Sequence, residues 1–214
     1  MHLTKRFKKA LIFALAAHKG HLRKGTKIPY ASHLLAVASI VIDYGGNENE
    51  AIAALLHDCV EDCGVVPKQI RAIFGGEVAN IVVACSDSLE KDPRHKPDWR
   101  PRKEAYLKHL KTAPPPVLLV SAADKLHNVR SIVKDLLEIG HKVWARFNGG
   151  EKGTLWYYKI LVKVFKKRGE HRMLVDELAR TVAELQRLAA STQVNSRGGI
   201  SQTARPKMEI SCDK

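Results

Sequence analysis

The segment LLHDCVEDCG, residues 55–64, places a histidine and three carboxylates within six consecutive positions, at the end of the apolar run AIAALL. On a helix, residues three and four apart share a face, so His57 would align with Glu61, and Asp58 with both Glu61 and Asp62. Buried carboxylates are costly without a positive partner, and a divalent cation can hold several of them together. Taken alone, the stretch is equally consistent with a solvated, charged helix face.

Two other segments carry donors of the same kind within apolar surroundings. His33 lies in PYASHLLAVA, and Asp124 lies in LLVSAADKLHNVRSI. Singly, such a histidine is usually just hydrogen-bonded, and such an aspartate is usually a cap or an ion-pair partner. Together, His33, His57, Asp58 and Asp124 form a mixed nitrogen and oxygen ligand set, which suits Mn²⁺, Fe²⁺ or Zn²⁺ better than an all-oxygen Mg²⁺ site. A metal bound in this way can lower the pKa of a bound water and polarise a phosphoryl oxygen.

The elements that must position these donors all read as helices. Pro29 suits the first turn of the second helix, which Gly45-Gly46 would end, and a triple proline at 114–116 would open the helix of Asp124. The segment GEVANIVVACSDS is predicted to be a helix, with strand as the alternative because of its β-branched residues. We therefore expect an all-α bundle of roughly eight to ten helices. Its predicted helices cover 4–18, 29–44, 47–62, 67–74, 76–88, 103–113, 117–140, 154–168 and 171–190.

Length and composition favour one globular domain, predicted to span 1–190, with a polar and disordered tail at 191–214. The net charge of +14 favours polyanionic partners such as nucleic acid, phosphate-rich small molecules or an anionic membrane, although a merely solvated basic surface is the alternative. Four cysteines in 214 residues do not indicate a disulfide scaffold, so reduced thiols in a cytoplasm are expected. The apolar stretch ALIFALAA near the start is too short to span a bilayer and favours a packed helix over a signal peptide.

The pattern H…HD…D on successive helices resembles the HD superfamily of metal-dependent phosphohydrolases. The segments AAHKGHLRKGTKIPYASHLLAVA, ALLHDCVED and SAADKLHNVRSI resemble more closely the hydrolase domain of RelA/SpoT-type proteins, in particular the stand-alone small alarmone hydrolases. The resemblance covers residues from about 10 to 168, and no synthetase segment is recognised. It implies an HD-domain helical bundle that removes the 3′-pyrophosphate from ppGpp or pppGpp in a Mn²⁺-dependent reaction.

The resemblance also implies roles for individual residues. His33, His57, Asp58 and Asp124 would bind one Mn²⁺ ion per active site, and Glu61 and Asp62 would position and deprotonate the attacking water. Arg23 and Lys24 would lie in the nucleotide pocket, Asn128 would contact the ribose or a phosphate, and Tyr157 would lie at the substrate, with Tyr158 and Trp156 as alternatives. The chain departs from the family at His33-Leu34, where His-Pro is common. This change should alter local backbone restraint and leave the metal site intact.

Three weaker sequence patterns can each be interpreted in two ways. Cys59 and Cys63, four residues apart, could bind zinc, but without a second cysteine pair they are interpreted as packing thiols. The segment NGGEKGT, 148–154, lacks the context of a phosphate loop and is interpreted as a turn before a helix capped by Thr154. A basic stretch around Trp99 would either gather substrate phosphates or form an exposed loop; it contains Lys96, Arg100, Arg102 and Lys103.

Two alternative functions compete with (p)ppGpp hydrolysis. The first is an HD phosphohydrolase that acts on another nucleotide, such as (p)ppApp or NADPH. The second is a basic, helical nucleic-acid-binding protein with a vestigial metal site, whose binding would weaken steeply with salt. The second is disfavoured because the aromatic and basic residues do not form a recognised binding module. We therefore expect a nucleotide substrate and neither a stable nucleic-acid partner nor a membrane.

Overall fold

The computed structural model describes residues 2–86 and 98–197, with side chains as far as Ser191. Every regular element in these ranges is helical, apart from an isolated antiparallel bridge between Leu22 and Pro29. This confirms the predicted all-α class. The α-helices are α1 Lys5–Ala17, α2 Ala31–Asp43, α3 Glu48–Leu56, α4 Cys59–Asp62, α5 Pro67–Phe74, α6 Gly76–Cys85, α7 Trp99–Leu110, α8 Pro115–Ile139, α9 Gly150–Arg168 and α10 Arg172–Arg197, with a 3₁₀ helix at Gly140–Arg146 before α9.

Local sequence accounts for many of the helix ends. The Thr4 hydroxyl accepts a hydrogen bond from the Arg6 amide at 3.1 Å and caps α1. Asn47 and Glu50 form a reciprocal capping box at the start of α3. Proline occupies the first turn of α5 and of α8, where its missing amide proton costs no helical hydrogen bond. The cap of α3 and the prolines of α8 thus fix where the helix before His57 and the helix that carries Asp124 begin.

Helix α8 runs through the middle of the core and packs against α2, α3, α6 and α10. Its buried face includes Leu118, Leu119, Ala122, Ala123 and Leu126, each at most 1% exposed. Helix α3 is buried along most of its length as well. Because α2, α3 and α8 pack on one another, polar side chains on their inner faces are brought close together within a dry interior.

The structure corrects three details of the predicted helices. The third helix does not run unbroken to residue 62, because α3 ends at Leu56 and α4 begins at Cys59. The ring of His57 bonds the Ala54 carbonyl, which is the acceptor that a continuing helix would pair with the Asp58 amide. The predicted loop after α8 contains the 3₁₀ helix, and α9 begins at Gly150, so Thr154 lies inside the helix and does not cap it.

Helices α6 and α10 bear on two further predictions from the sequence. Residues 76–85 are helical, so the strand alternative for this segment was wrong. Helix α10 continues past the predicted boundary at residue 190 as far as Arg197. Residues 198–214 lie outside the described residues, so the disordered tail stays a prediction. Among the helices of 2–86 and 98–197, none has both the length and the apolar content needed to cross a bilayer.

Candidate metal centre and adjoining cavity

Four side chains from three regions of the chain meet at one point in the core, and we call them the four-donor centre: His33 on α2, His57 and Asp58 between α3 and α4, and Asp124 on α8. His33 Nε2 lies 3.3 Å from His57 Nε2, 3.5 Å from Asp58 Oδ2 and 3.3 Å from Asp124 Oδ1. His57 Nε2 lies 2.9 Å from Asp58 Oδ2 and 3.7 Å from Asp124 Oδ1. The four residues predicted as ligands are therefore brought together.

Both histidines are held with Nε2 turned to the centre. His57 Nδ1 donates to the Ala54 carbonyl at 2.8 Å, and since a carbonyl only accepts, the proton must be on Nδ1. His33 Nδ1 lies 2.7 Å from His127 Nδ1. Burial, together with the charge of Arg23, lowers the pKa of His127 to about 4, so His127 is neutral and can accept this bond. Each Nε2 is thereby left with a lone pair for a metal ion.

Both carboxylates are held by donors as well. Tyr30 Oη donates to Asp58 Oδ2 at 2.6 Å. Asp124 accepts from Asn128 Nδ2 on one oxygen and from Lys125 Nζ on the other. Burial opposes their ionisation, but His57 lowers the pKa of Asp58 and Lys125 lowers the pKa of Asp124 well below the usual range. Both groups are therefore carboxylates that can bind a cation.

The donor set fits a divalent cation. Two metal–ligand bonds of about 2.0–2.2 Å leave their donor atoms about 3.0–3.5 Å apart, which is close to the spacings observed here. Although burial disfavours the imidazolium, the charge of Asp58 and hydrogen bonds to Asp124 raise the pKa of His57 well above its usual value. The two carboxylates therefore favour a positive charge at this point, and a metal ion would supply that charge.

Removing the Tyr30 hydroxyl should weaken metal binding without removing a ligand. In Tyr30→Phe, Asp58 loses the donor that orients it, and we expect Mn²⁺ affinity to fall about 10–100-fold, as is typical when an outer partner of a ligand is lost. A Mn²⁺ titration followed by electron paramagnetic resonance measures this. Tyr44→Phe is the matched control, because Tyr44 bonds Glu177 away from the centre. Equal affinities for Tyr30→Phe and the unaltered protein would contradict the assignment.

A cavity of about 710 Å³ adjoins the four-donor centre, and Tyr30, His127 and Asn128 lie both beside the ligands and on its wall. This volume lies within the range of small-molecule sites. Six basic residues contribute to the lining, and they are Arg23, Lys24, Arg102, Lys103, Lys125 and Lys134. The cavity therefore suits an anionic ligand that reaches a metal ion.

Glu61 and Asp62 line this cavity on α4, one turn beyond Asp58. Glu61 Oε1 lies 4.0 Å from Arg102 Nη1. The Asp62 residue as a whole is exposed, but the protein packed around its carboxyl group, together with the charges of Asp58 and Glu61, raises the pKa of Asp62 to about 7. Glu61 and Asp62 thus lie beside the four-donor centre in a position that solvent can reach.

The predicted substrate residues of the first loop also line the cavity. Arg23 Nη2 donates to Asn128 Oδ1 at 2.9 Å, and Asn128 in turn donates to Asp124. Lys24 Nζ donates to Asn148 Oδ1 at 3.4 Å, at the start of the glycine-rich segment 148–154. The guanidinium of Arg23 is thereby linked to Asp124 of the four-donor centre through a single residue, Asn128.

Tyr157, the predicted substrate residue, and its alternative Tyr158 both line the cavity from α9. The ring of Trp156 is covered by the guanidinium of Arg100, whose Cζ lies 3.2 Å from the ring centroid. Trp99 lines the cavity and packs against the start of α9, where a Cβ on Gly149 would come within 2.6 Å of the indole. Of the basic stretch, Arg102 and Lys103 reach the cavity wall, and Lys96 lies outside the described residues.

Three contributors were not predicted from the sequence: Tyr30, Lys125 and His127. All three lie within segments that the family resemblance singled out, PY..H and ADKLHN. Lys125 directly follows Asp124, so a basic partner for that buried acid could have been recognised there. His127 pairs with His33 on another helix, and no sequence spacing indicates this contact. Tyr30 and Asp58 are 28 residues apart, and only the packing of α2 on α3 brings them together.

The residues of the four-donor centre lie within a region that matches a known protein family. The family model described as HD domain matches residues 10–155, which include all four donors. The guanosine-3′,5′-bis(diphosphate) 3′-pyrophosphohydrolase MESH1 of Xenopus tropicalis is 37% identical over 123 residues, covering 56% of this chain and 65% of that protein. The enzyme with the same activity name from Haemophilus influenzae is 34% identical over 127 residues, covering 56% of this chain but only 18% of that protein. The chain thus spans less than two thirds of these relatives.

Solved structures share the fold. The crystal structure of lmo0812 from Listeria monocytogenes has a TM-score of 0.60 at 30% identity and covers 70% of this chain and 96% of that one. A metazoan ortholog of SpoT, described as hydrolysing ppGpp, has a TM-score of 0.61 at 24% identity and covers 94% of this chain and 99% of that one. The helical fold is therefore shared with these chains.

Proposed function

Because the chain belongs to the HD-domain family, we propose that it hydrolyses the 3′-pyrophosphate of ppGpp or pppGpp to GDP or GTP and pyrophosphate. The observation that carries this proposal is the four-donor centre beside a cavity of about 710 Å³ with basic walls. The activity for which the relatives from Xenopus tropicalis and Haemophilus influenzae are named supports the choice of substrate. The free nucleotide in a cytoplasm, with no nucleic acid or membrane, is the proposed partner.

We propose that His33, His57, Asp58 and Asp124 hold one Mn²⁺ ion. Two imidazoles and two carboxylates suit Mn²⁺ and leave room for further ligands. When bound, such an ion lowers the pKa of a water molecule and polarises a phosphoryl oxygen. The protein contributes by fixing both imidazole tautomers and by holding both acids ionised.

Glu61 and Asp62 are proposed to orient the attacking water and to accept its proton. Both line the cavity on the turn that follows Asp58, so a water between them and a bound phosphate would be close to the centre. A carboxylate is a suitable general base when it is positioned within hydrogen-bonding distance of the proton that it removes. The Arg102 guanidinium, 4.0 Å from Glu61 Oε1, places a positive charge beside this carboxylate.

The basic wall is proposed to bind the phosphates of the nucleotide. Arg23 offers a planar fork for two phosphate oxygens, whereas Lys24 and Lys103 supply point charges. Asn128 is placed to reach the ribose or a phosphate next to Arg23, and Tyr157 offers a ring at the cavity wall. Recognition of the phosphates would thus be built around one loop and two helices.

Truncating Arg23 should affect substrate binding more than chemistry. In Arg23→Ala we expect KM to rise about 10–100-fold with a smaller change in kcat, because a hydrogen bond to a charged group contributes about 1.5–3 kcal/mol. Steady-state kinetics with ppGpp measure both constants. Lys27→Ala, an exposed change in the same loop, is the matched control. A loss of equal size for a small phosphate ester would show that Arg23 does not recognise the nucleotide.

One assay tests the proposed function. Purified protein with Mn²⁺ is incubated separately with ppGpp, pppGpp, ppApp and NADPH, and the products are separated by anion exchange. We expect GDP or GTP together with pyrophosphate from the guanine substrates. Turnover of only ppApp or NADPH would retain the phosphohydrolase and replace its substrate, and no turnover of any of the four would reject the proposal.

A further inference from the structure

A second cluster of metal-ligand side chains lies outside the four-donor centre, and we call it the His–His–Cys cluster: His18, His21 and Cys63. One donor atom from each lies within 4.8 Å of the other two. His18 follows the end of α1, His21 lies in the loop that leads to Arg23, and Cys63 follows α4 directly. Three segments that are distant in sequence thus converge, as they do at the first centre.

His18 is the buried member and has an unsatisfied nitrogen. The residue is only 4% exposed, and its Nδ1 has no hydrogen-bond partner among the described residues. Its other nitrogen, Nε2, lies 3.8 Å from Cys59 Sγ. A buried ring nitrogen without a partner is unfavourable, and a bound ion would satisfy it. The function proposed above makes no use of this histidine.

The ring of His18 is fixed from two sides. It stacks on Tyr30 with centroids 4.8 Å apart and planes 14° apart, and it meets the ring of His21 edge-on at 5.4 Å. His21 itself is exposed, so its imidazole can swing onto an ion without leaving a packed core. One rigid and one adjustable imidazole are a workable pair of ligands.

Cys63 is half-buried and lies beside both histidines. The hydrogen bond with Cys59, followed by contact with His18 and the charge of His21, lowers the pKa of the Cys63 thiol to about 5. A thiol in this setting is present as the thiolate near neutral pH, which is the form that binds metals. Cys59 differs, because burial and its neighbours raise the pKa of that thiol.

We propose that His18, His21 and Cys63 form a zinc site separate from the four-donor centre. A thiolate with two imidazoles selects Zn²⁺ over the harder Mn²⁺, and three protein ligands leave a fourth position for water or another donor. The two centres share no donor residue. Because only the His–His–Cys cluster contains a thiolate, the two centres would prefer different ions. This inference does not depend on the substrate proposed above.

Such an ion would connect two segments that border the cavity. His18 and His21 lie just before Arg23, and Cys63 comes directly after Asp62. Zinc bound to all three would therefore hold the loop of the basic wall against the end of α4. The site would restrain the groups that flank the cavity without itself contacting the phosphates.

Cobalt substitution distinguishes this site from the first one. Co²⁺ bound to a thiolate shows an intense near-ultraviolet charge-transfer band, whereas the four-donor centre contains no sulfur. We expect the full chain to develop this band on titration with Co²⁺, and Zn²⁺ to abolish it. The band should persist in Asp58→Ala, which lacks a ligand of the first centre, and should be lost in Cys63→Ser.

Matched variants secure the assignment. Cys85→Ser removes another half-buried thiol and Cys212→Ser removes one outside the described residues, and both should retain the band. His21→Ala changes an exposed residue, so it should fold, and its Zn²⁺ affinity should fall more than the roughly 10–100-fold expected for an outer-shell change. A band that survives Cys63→Ser, an unaltered Zn²⁺ affinity in His21→Ala, or no band in the unaltered protein would each overturn the proposal.

Discussion

Replacing Asp58 with alanine is expected to abolish Mn²⁺ binding at the four-donor centre and hydrolysis of ppGpp together. Asp58 Oδ2 lies 2.9 Å from His57 Nε2 and 3.5 Å from His33 Nε2, so its loss removes a ligand and leaves two imidazoles and one carboxylate. A Lewis-acidic ion supplies several kcal/mol to the transition state, and we expect kcat/KM to fall by about 10³-fold or more. Isothermal titration with Mn²⁺ and an assay of pyrophosphate release measure the two losses.

The control for this variant is Asp43→Ala, which removes an exposed carboxylate from the end of α2. It should bind Mn²⁺ and turn over ppGpp as the unaltered protein does. Circular dichroism of both variants checks that the helical bundle is intact. If Asp58→Ala bound Mn²⁺ with full affinity, Asp58 would not be a ligand, and if it retained turnover, the reaction would not depend on this centre.

Replacing Glu61 with glutamine should separate metal binding from chemistry. The amide has nearly the same shape as the carboxylate but cannot accept the proton of an attacking water, so kcat should fall about 10²–10⁴-fold. Mn²⁺ affinity should stay within a few-fold of the unaltered value, because Glu61 faces the cavity and Arg102 and does not belong to the four-donor centre. Mn²⁺ titration and single-turnover kinetics distinguish the two effects.

Glu138→Gln, an exposed change on α8, serves as the comparison for Glu61→Gln. It should leave both metal affinity and kcat unaltered. Loss of Mn²⁺ from Glu61→Gln would assign Glu61 to the ligand set. An undiminished kcat would transfer the role of base to Asp62, which lies on the same turn and lines the same cavity.

Much of the metal centre could be predicted because its donors stand out against apolar surroundings. His33 and Asp124 each interrupt a buried helix face, and a polar group there needs a partner. Spacing alone does not show that residues 33 and 124 meet, because their contact depends on how α2 packs against α8. The family resemblance supplied that step, and the structure confirmed the convergence.

The predictions that failed were local ones. The helix pattern of residues 47–62 is continuous in apolar content, so periodicity does not reveal the break at His57, where a side chain competes for a backbone carbonyl. Cys63 shows a limit of another kind, because the sequence reveals only its spacing of four residues from Cys59. Its metal-ligand neighbours are His18 and His21, more than 40 residues away in sequence, and only the tertiary fold reveals them.

Helix α8 contributes Asp124, Lys125, His127 and Asn128 to one site while its opposite faces fill the core. Folding of the bundle and binding of an ion are therefore thermodynamically linked. An ion that binds only the native chain stabilises the whole bundle by mass action, and a loosened interior would release its ion before the chain unfolds completely. The protein would then be most resistant to heat or proteolysis where metal is abundant, which makes ion supply a determinant of its lifetime.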